Sequence, residues 1–227
     1  SLGAASALSI SAGDSLAPGE IILIDNDDAA DAVTGTFAGL AEGGALDEEA
    51  FGLNGTVSYV GGDGNDVAVD FTDYTTIGQW RADNYGSAAN AGEGADSAPA
   101  DNGLNNLQSF AFDLDPNAPA GVLDVDEKTG EILSLGPPAI WTDPADGRIY
   151  LRHTRRTDFA EIPLTITDEF SRNPNLPFED SADDPAVIAT GTGDSGAAIE
   201  AVQTEFPLVL PDSGGKGRYG RVDVTRP

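Results

Sequence analysis

The chain contains no cysteine, which excludes disulfides, thiol chemistry and zinc sites that use cysteine ligands. It also contains no methionine, and we interpret Ser1 as the start of a processed or excised fragment. No apolar run approaches the roughly 20 residues of a transmembrane helix, and no signal peptide is evident. The sequence therefore predicts neither a redox site nor a membrane-spanning segment.

Positive charge is also scarce. The chain carries 39 acidic residues against 11 Lys and Arg, for a formal net charge of −28. Nucleic acids and anionic membranes bind proteins through clustered cations, so both are poor partners for this acidic protein. The acidity suits a solvated surface, divalent cations or a saline exterior. The length of 227 residues allows one large domain or two small ones with a real core.

The first 71 residues alternate short β-type runs with turns of Gly, Asp and Asn. The clearest example is 58–69, where two apolar runs flank a turn that starts at Gly61 and predicts strand–turn–strand structure. The other short β-type runs between the turns of this region also indicate strands. The strand candidates in this region are 7–11, 20–24, 34–37 and 56–60.

Residues 72–118 change to a helical period. The helical spacing of Tyr74, Ile77, Trp80 and Arg81 predicts a helix that stops at Gly86. A second run from Leu104 to Leu114 predicts another helix, closed by Pro116, with a loop at 87–101 between the two. The aromatic residues at helical spacing, Trp80 and Phe110, are interpreted as core.

Residues 119–227 return to β character, with turn signals at spacings typical of an antiparallel β-sandwich. The predicted strands are 121–125, 131–135, 148–154, 162–167, 187–190, 199–204 and 218–225. The predicted fold class is therefore mostly β, with a short helical connection between an N-terminal β region and a C-terminal antiparallel β-sandwich.

Two parts of the chain resemble known bacterial families. The glycine-rich runs at 13–27, 33–40 and 58–69 resemble the closing rungs of an autotransporter-type passenger, a β-solenoid with autotransporter-associated β-strand repeats. A second set of motifs resembles the C-terminal tail module of large secreted proteins that carry those repeats. These motifs are Gln79-Trp80-Arg81, Asn84-Tyr85-Gly86, Gly103 to Leu107, Leu114-Asp115-Pro116, Tyr150 to Arg156 and Arg221 to Pro227.

The resemblance implies an extracellular or cell-surface location and a sorting, anchoring or capping role for the tail. It implies a β-solenoid end over 1–71, and a small β-domain is the alternative there. The domain prediction is then 1–71 for this region, 72–118 for the helical connection and 119–227 for the sandwich.

The connection at 72–118 contains a degraded calcium-type loop. The tail family often has an Asp-x-Asp-x-Asp-Gly loop with a Glu six residues after the Gly, as calcium coordination requires. With Gly103 as that glycine, the ligand positions hold Ala98, Ala100, Asn102 and Ser109. We therefore expect no tight calcium here, and a helix cap at Asp101 or Asn102 is the better interpretation.

The turn from Gly61 to Val69 also matches one copy of the calcium-binding nonapeptide of β-rolls. Those rolls bind calcium between successive copies, so a simple Gly/Asp turn is the plainer interpretation. Asp63, Asn65 and Asp66 are the weak calcium candidates of the chain. No other cofactor is predicted.

The segment from Gly191 to Gly196 matches two catalytic patterns that lack their context. It fits Gly-x-Gly-x-x-Gly, but no helix and returning parallel strand follow it. It also contains the Gly-Asp-Ser-Gly of chymotrypsin-like proteases around Ser195, a chemistry that needs a histidine and an orienting acid. His153 is the only histidine and lies in a probable strand. We predict a hairpin turn, an inert Ser195 and no catalytic residue.

Two further features concern partners. Arg152, Arg155 and Arg156 form a basic cluster that either pairs internally or meets an acidic surface or a carboxylated glycan. The uncharged run with Leu2, Leu8 and Ile10 suits addition as a strand to a neighbouring fold, although it can also pair within its own domain.

The predicted function is that of a non-enzymatic extracellular structural or adhesive surface segment, with self-assembly into filaments by strand addition as one mode. The alternative is a carbohydrate-binding module. Exposed Trp or Tyr on the sandwich would favour glycan binding, whereas an open strand edge satisfied by another chain would favour assembly. The expected partners are copies of itself, other cell-surface components or a glycan.

Overall fold

The structure is a computed structural model that describes residues 1–3, 6–11, 16–26 and 31–226. Parts of the predicted repeats, 12–15 and 27, and Pro227 of the tail motif lie outside the described residues. The chain forms two compact units, Ser1–Asp96 and Ser97–Pro227. Both are built mainly from strands, which confirms the predicted mostly-β fold class.

The first unit contains a three-stranded antiparallel sheet in the order β1-β3-β2. Its strands are β1 (Gly19–Ile24), β2 (Leu53–Gly61) and β3 (Asp66–Tyr74). Side chains alternate along β2 between the core and the surface, as a half-buried strand requires. β2 and β3 form the hairpin that the Gly/Asp/Asn turn predicts. The antiparallel pairing fits a small β-domain and not a solenoid end, whose stacked rungs pair in parallel.

Two predicted strands of this unit do not form. Residues 7–11 and 34–37 belong to no strand in the described part of the chain. Both runs are short, and their apolar side chains Leu8, Ile10 and Phe37 pack in the buried clusters of this unit without strand pairing. The backbone next to the runs forms isolated bonds, Leu2 N to Thr34 O and Ala38 N to Ser6 O, each at 2.7 Å.

The helices are α1 (Glu48–Phe51), α2 (Thr76–Tyr85) and α3 (Asn106–Phe112). In α2 the hydroxyl of Thr75 caps the first turn and Gly86 closes the last with a φ of 76°, so the predicted stop is confirmed. The prediction for α3 is wrong at both ends. Asn105 is its N-cap, because Gln108 completes a capping box, and the helix ends at Asp113, with a φ of 52°.

The second unit contains two sheets. The larger has six strands in the order β4-β5-β10-β11-β7-β6, and the smaller has three in the order β12-β8-β9. Pairing is antiparallel except for one parallel contact between β10 and β5. The strands are β4 (Asp124–Asp126), β5 (Glu131–Ser134), β6 (Ala139–Thr142), β7 (Ile149–Arg156), β8 (Thr165–Ser171), β9 (Glu179–Asp180), β10 (Ala186–Thr192), β11 (Ala198–Glu205) and β12 (Tyr219–Thr225).

Aromatic and hydrogen-bond contacts join the elements of the second unit around its core. The rings of Phe170 in β8 and Phe206, just after β11, lie 4.8 Å apart. Helix α3 is fixed to β7 by the hydroxyl of Thr154, which donates to Phe112 O at 2.8 Å. Phe110 in α3 is fully buried, and in the first unit Trp80 is buried too, which confirms both as core residues. β6 and β9 were not predicted, and β8 begins three residues later than predicted.

Candidate functional site

A cleft of about 560 Å³ opens on the six-stranded sheet of the second unit. It is lined by β4 and by β6, which are the two outermost strands of that sheet. The sheet therefore curves until its two free edges border one space. Within residues 97–226, the outer backbone groups of β4 and β6 pair with no other strand. A cleft of this size falls in the range of small-ligand sites in proteins.

Arg152 of β7 lies in this cleft and is held from three sides. Its guanidinium stacks 3.5 Å from the ring centroid of Trp141. Nε and Nη2 donate to Gln203 Oε1 at 2.9 and 2.7 Å, and Nη2 also donates to Glu127 Oε1. Nη1 donates to none of the residues that the structure describes. These contacts fix the guanidinium against the indole of Trp141. They leave the Nη1 amino group with no partner among the described residues.

The rim of the cleft combines apolar and acidic groups. Val122 is 75% exposed, and Leu133 and Ile140 are each 60% exposed. The charged lining consists of four carboxylates and two cations: Asp124, Asp126, Glu127, Asp143, Lys128 and Arg152. The backbone N–H of Lys128 bonds the Asp126 carboxylate and lowers its pKa, so this group carries its negative charge at neutral pH. The cleft is therefore an amphipathic surface with a net negative charge.

The predicted basic cluster of Arg152, Arg155 and Arg156 is divided between different contacts. Arg155 pairs with Glu200 at 2.7 Å, on the opposite face of β7 from its two neighbours. Arg156 forms two 2.9 Å bonds with Asp158 and stacks over the ring of Phe110. All three therefore pair internally, as one of the two sequence-based alternatives predicts. Only Arg152 lines the cleft.

Ser195 is placed by the buried carboxylate of Asp113. The Ser195 hydroxyl donates to Asp113 Oδ1, and its N–H donates to Oδ2 at 3.3 Å. Arg156 Nη1 lies 3.3 Å from Asp113 Oδ1. Burial raises the pKa of Asp113 above its usual range, against the opposing effects of the Ser195 hydrogen bond and the Arg156 charge. A Cβ at Gly193 would lie 1.9 Å from Asp113 Oδ2, so the motif glycine is required by packing at this contact.

His153 contacts a different acid. Its Nε2 lies 3.0 Å from Asp168 Oδ1, but neither atom makes a well-oriented hydrogen bond. Nδ1 lies 2.9 Å from Thr154 O, and the Thr204 hydroxyl donates to Asp168 Oδ2. Since Ser195 bonds a carboxylate and His153 faces Asp168, the two residues of the protease pattern serve separate contacts. Both contacts join parts of the second unit that are distant in sequence.

The degraded calcium-type loop is closed by side chains. Asn102 Nδ2 donates to Ser109 Oγ at 3.0 Å and to Asp115 O at 3.1 Å, while its Oδ1 accepts from Leu104 N at 3.0 Å. Asn102 and Ser109 are both buried. Asn102 and Ser109, the two polar residues at ligand positions of the pattern, therefore bond to each other. Weak or absent calcium binding at this loop stays a prediction.

The weak calcium candidates lie in the β2–β3 turn. Asp66 Oδ1 accepts from Asn26 N at 2.8 Å, and Asn65 Nδ2 donates to Asn26 O at 2.7 Å. Asp63 is exposed at the tip of the turn. Among the described residues, no group of three or more acidic or histidine side chains is placed to hold a metal ion. The side chains of Asn65 and Asp66 thus both bond to the backbone of Asn26. Calcium binding at this turn stays a prediction.

The candidate assembly residues pack within their own unit. Leu2 and Leu8 lie against a buried cluster, and Ile10 lies against a second one. The first cluster consists of Phe37, Val57, Tyr59 and Val67, and the second of Phe51, Leu53, Val69, Phe71 and Ala88. This packing supports the alternative in which the run belongs to its own domain.

Comparison with known proteins adds no relative. No family model, curated protein or solved structure matches the chain. In the described part of the chain, none of the helices has the length and apolar character needed to cross a membrane.

Sequence reasoning missed the cleft. Trp141, Glu127 and Gln203 meet Arg152 there, although the four positions are widely separated along the chain. The available signal was the short β-type run from Ala139 to Thr142, which contains Ile, Trp and Thr. Prolines on both sides of that run argued against a strand, but a Pro beside an edge strand disrupts no ladder.

Proposed function

We propose that this chain is a non-enzymatic adhesive segment of an extracellular bacterial surface protein, of the autotransporter type that its sequence resembles. The observation that carries the proposal is the cleft between β4 and β6. It combines exposed apolar side chains, a fixed indole and a charged donor that has no hydrogen-bond partner among the described residues, as binding sites commonly do.

The contacts of Ser195 and His153, which match the protease pattern, support a binding role rather than a catalytic one. The Ser195 hydroxyl donates to Asp113, which also pairs with Arg156, and not to His153, so the serine–histidine pair of the protease pattern is not assembled. His153 is buried against Asp168. Both groups stabilise the fold that presents the cleft.

Self-assembly by strand addition is a second candidate function. The free edges of β4 and β6 favour it, because unpaired edge strands accept strands from other chains. Sedimentation velocity over a wide concentration range tests this candidate, since head-to-tail addition would not close and would give growing polymers. A species that stays monomeric throughout would remove it.

Adhesion is tested with beads coated with the full chain and passed over cellulose, chitin, mucin and collagen films under flow. We expect retention on at least one film, and we expect Trp141→Ala and the exposed rim change Ile140→Asp each to reduce it at least tenfold. Tyr219→Ala is the control, because Tyr219 is an exposed aromatic residue of β12 that does not line the cleft. Absence of retention on every film, or equal loss in all three variants, would overturn the proposal.

A further inference from the structure

We infer that the cleft between β4 and β6 binds a neutral carbohydrate, with Trp141 as the apolar contact, Arg152 Nη1 as a donor and Glu127 as an acceptor. The inference rests on the proposed adhesive function and names the chemical class of its partner.

Arg152 has a hydrogen-bond donor, Nη1, that is available to a ligand in the cleft. The residue is only 6% exposed, yet Nη1 has no hydrogen-bond partner among the residues described. Buried charged groups normally satisfy all their donors, and a donor left beside an open cleft is available to a ligand. Because Gln203 and Glu127 hold Nε and Nη2, the direction of the remaining N–H groups is fixed before a ligand arrives.

The charge around the cleft argues against an anionic ligand. Four carboxylates and two cations line it, and Glu127 already pairs with Arg152. An added carboxylate or phosphate would meet this negative surface and be repelled. A carboxylated glycan, one of the partners suggested by the arginine cluster, is therefore disfavoured at this site. A neutral ligand avoids the repulsion.

Among neutral ligands, a sugar fits the combination of apolar, donor and acceptor groups in the cleft best. A pyranose ring has an apolar C–H face and a polar edge whose hydroxyls both donate and accept. Trp141 offers partly exposed aromatic surface, and the exposed Ile140 also lines the cleft. Arg152 can donate to a hydroxyl, while the half-exposed carboxylate of Glu127 can accept from one.

The protein contains a convenient reporter for this site. It has two tryptophans, Trp80 in the first unit and Trp141 in the cleft. In the full chain with Trp80→Phe, the emission of Trp141 alone is followed during titration with cellohexaose, xylohexaose, mannohexaose and chitohexaose. An oligogalacturonide of similar length is the anionic comparison. We expect a saturable emission change with at least one neutral sugar and a weaker one with the oligogalacturonide.

Matched variants assign the effect to the cleft. Glu127→Gln keeps the shape of an exposed side chain and removes its charge, so we expect about tenfold weaker binding, the size of one charged hydrogen bond. Ile140→Asp should weaken binding similarly. Glu205→Gln is the control, because Glu205 is a similarly exposed acid of the same sheet that does not line the cleft.

The outcomes separate this inference from adhesion itself. Film retention that depends on the cleft, with no response to any neutral sugar, would overturn the carbohydrate assignment and leave the adhesive function standing. Tighter binding of the oligogalacturonide, or equal affinities in Glu127→Gln and Glu205→Gln, would also overturn it. Sugar binding in solution without retention on any film would overturn the adhesive function instead.

Discussion

Replacing Asp113 with alanine or with asparagine tests whether the Gly-Asp-Ser-Gly segment is a structural contact. Asp113 ends α3 and accepts from Ser195 and Arg156 across 82 and 43 residues of sequence. Removing one partner of a buried ion pair costs about 3–5 kcal/mol. We expect the lower end, because Arg156 keeps both 2.9 Å bonds to Asp158.

The backbone adds to this cost for alanine only. Asp113 has a φ of 52°, a left-handed conformation that Asp and Asn tolerate better than Ala by about 1 kcal/mol. We therefore expect Asp113→Ala to lower the free energy of unfolding by about 4 kcal/mol. Asp113→Asn keeps one acceptor oxygen but loses the long bond from Ser195 N and the charge interaction with Arg156, so about 2 kcal/mol is expected.

The two variants also differ in their dependence on pH. Burial raises the pKa of Asp113 in the folded state above its usual 3.8, so the folded protein binds the proton more tightly than the unfolded chain. The stability that this group contributes is present at low pH and is lost as the pH rises through the folded-state pKa. The stability of the natural protein relative to Asp113→Asn should therefore fall as the pH is raised from about 4 to 7.

Urea unfolding followed by Trp141 emission in a Trp80→Phe background measures these effects, because Trp141 and Asp113 lie in the same unit. The m-values should stay equal, so that differences in midpoint report stability. Equal costs for alanine and asparagine, or a relative stability that rises with pH, would refute the reasoning.

Three further changes are informative. Asn102→Ala removes three hydrogen bonds in the closed loop and should cost about 2 kcal/mol in thermal unfolding, with no recovery on adding calcium; a calcium-dependent rescue would show that the loop binds the ion. His153→Leu leaves the buried side chain of Asp168 with Thr204 as its hydrogen-bond partner and should cost about 2 kcal/mol, part of which Asp168→Asn should restore in the double variant; an unrecovered double variant would contradict this pairing. Deleting residues 1–11 should destabilise the first unit without changing the sedimentation of the chain, whereas loss of a polymer with the fold intact would support strand exchange.

The sequence predicts structure best where local chemistry decides it. The β2–β3 hairpin follows from the glycines of its turn, because Gly62 and Gly64 adopt positive φ there. The end of α2 follows from Gly86 for the same reason. The start of α3 also had a local signal, Asn105 with Gln108, but the calcium-type pattern around Gly103 drew the prediction to Asp101 and Asn102.

The cleft depends on contacts that no local pattern contains. Glu127, Trp141, Arg152 and Gln203 lie on three strands and a turn, and the order of the six-stranded sheet brings them together. Three neighbouring arginines look like one patch in the sequence. Alternation along β7 instead sends Arg155 to the opposite face from Arg152 and Arg156.

Hydrogen exchange of the full chain bound to suspended particles of the film that retains it tests the central claim, that the cleft is the adhesive surface. We expect slower exchange in peptides covering 122–128 and 139–152, which contain most of the residues that line the cleft. We expect unchanged exchange in β8 and β12 of the smaller sheet. Protection confined to the smaller sheet or to residues 1–24, with β4 and β6 unchanged, would contradict the claim.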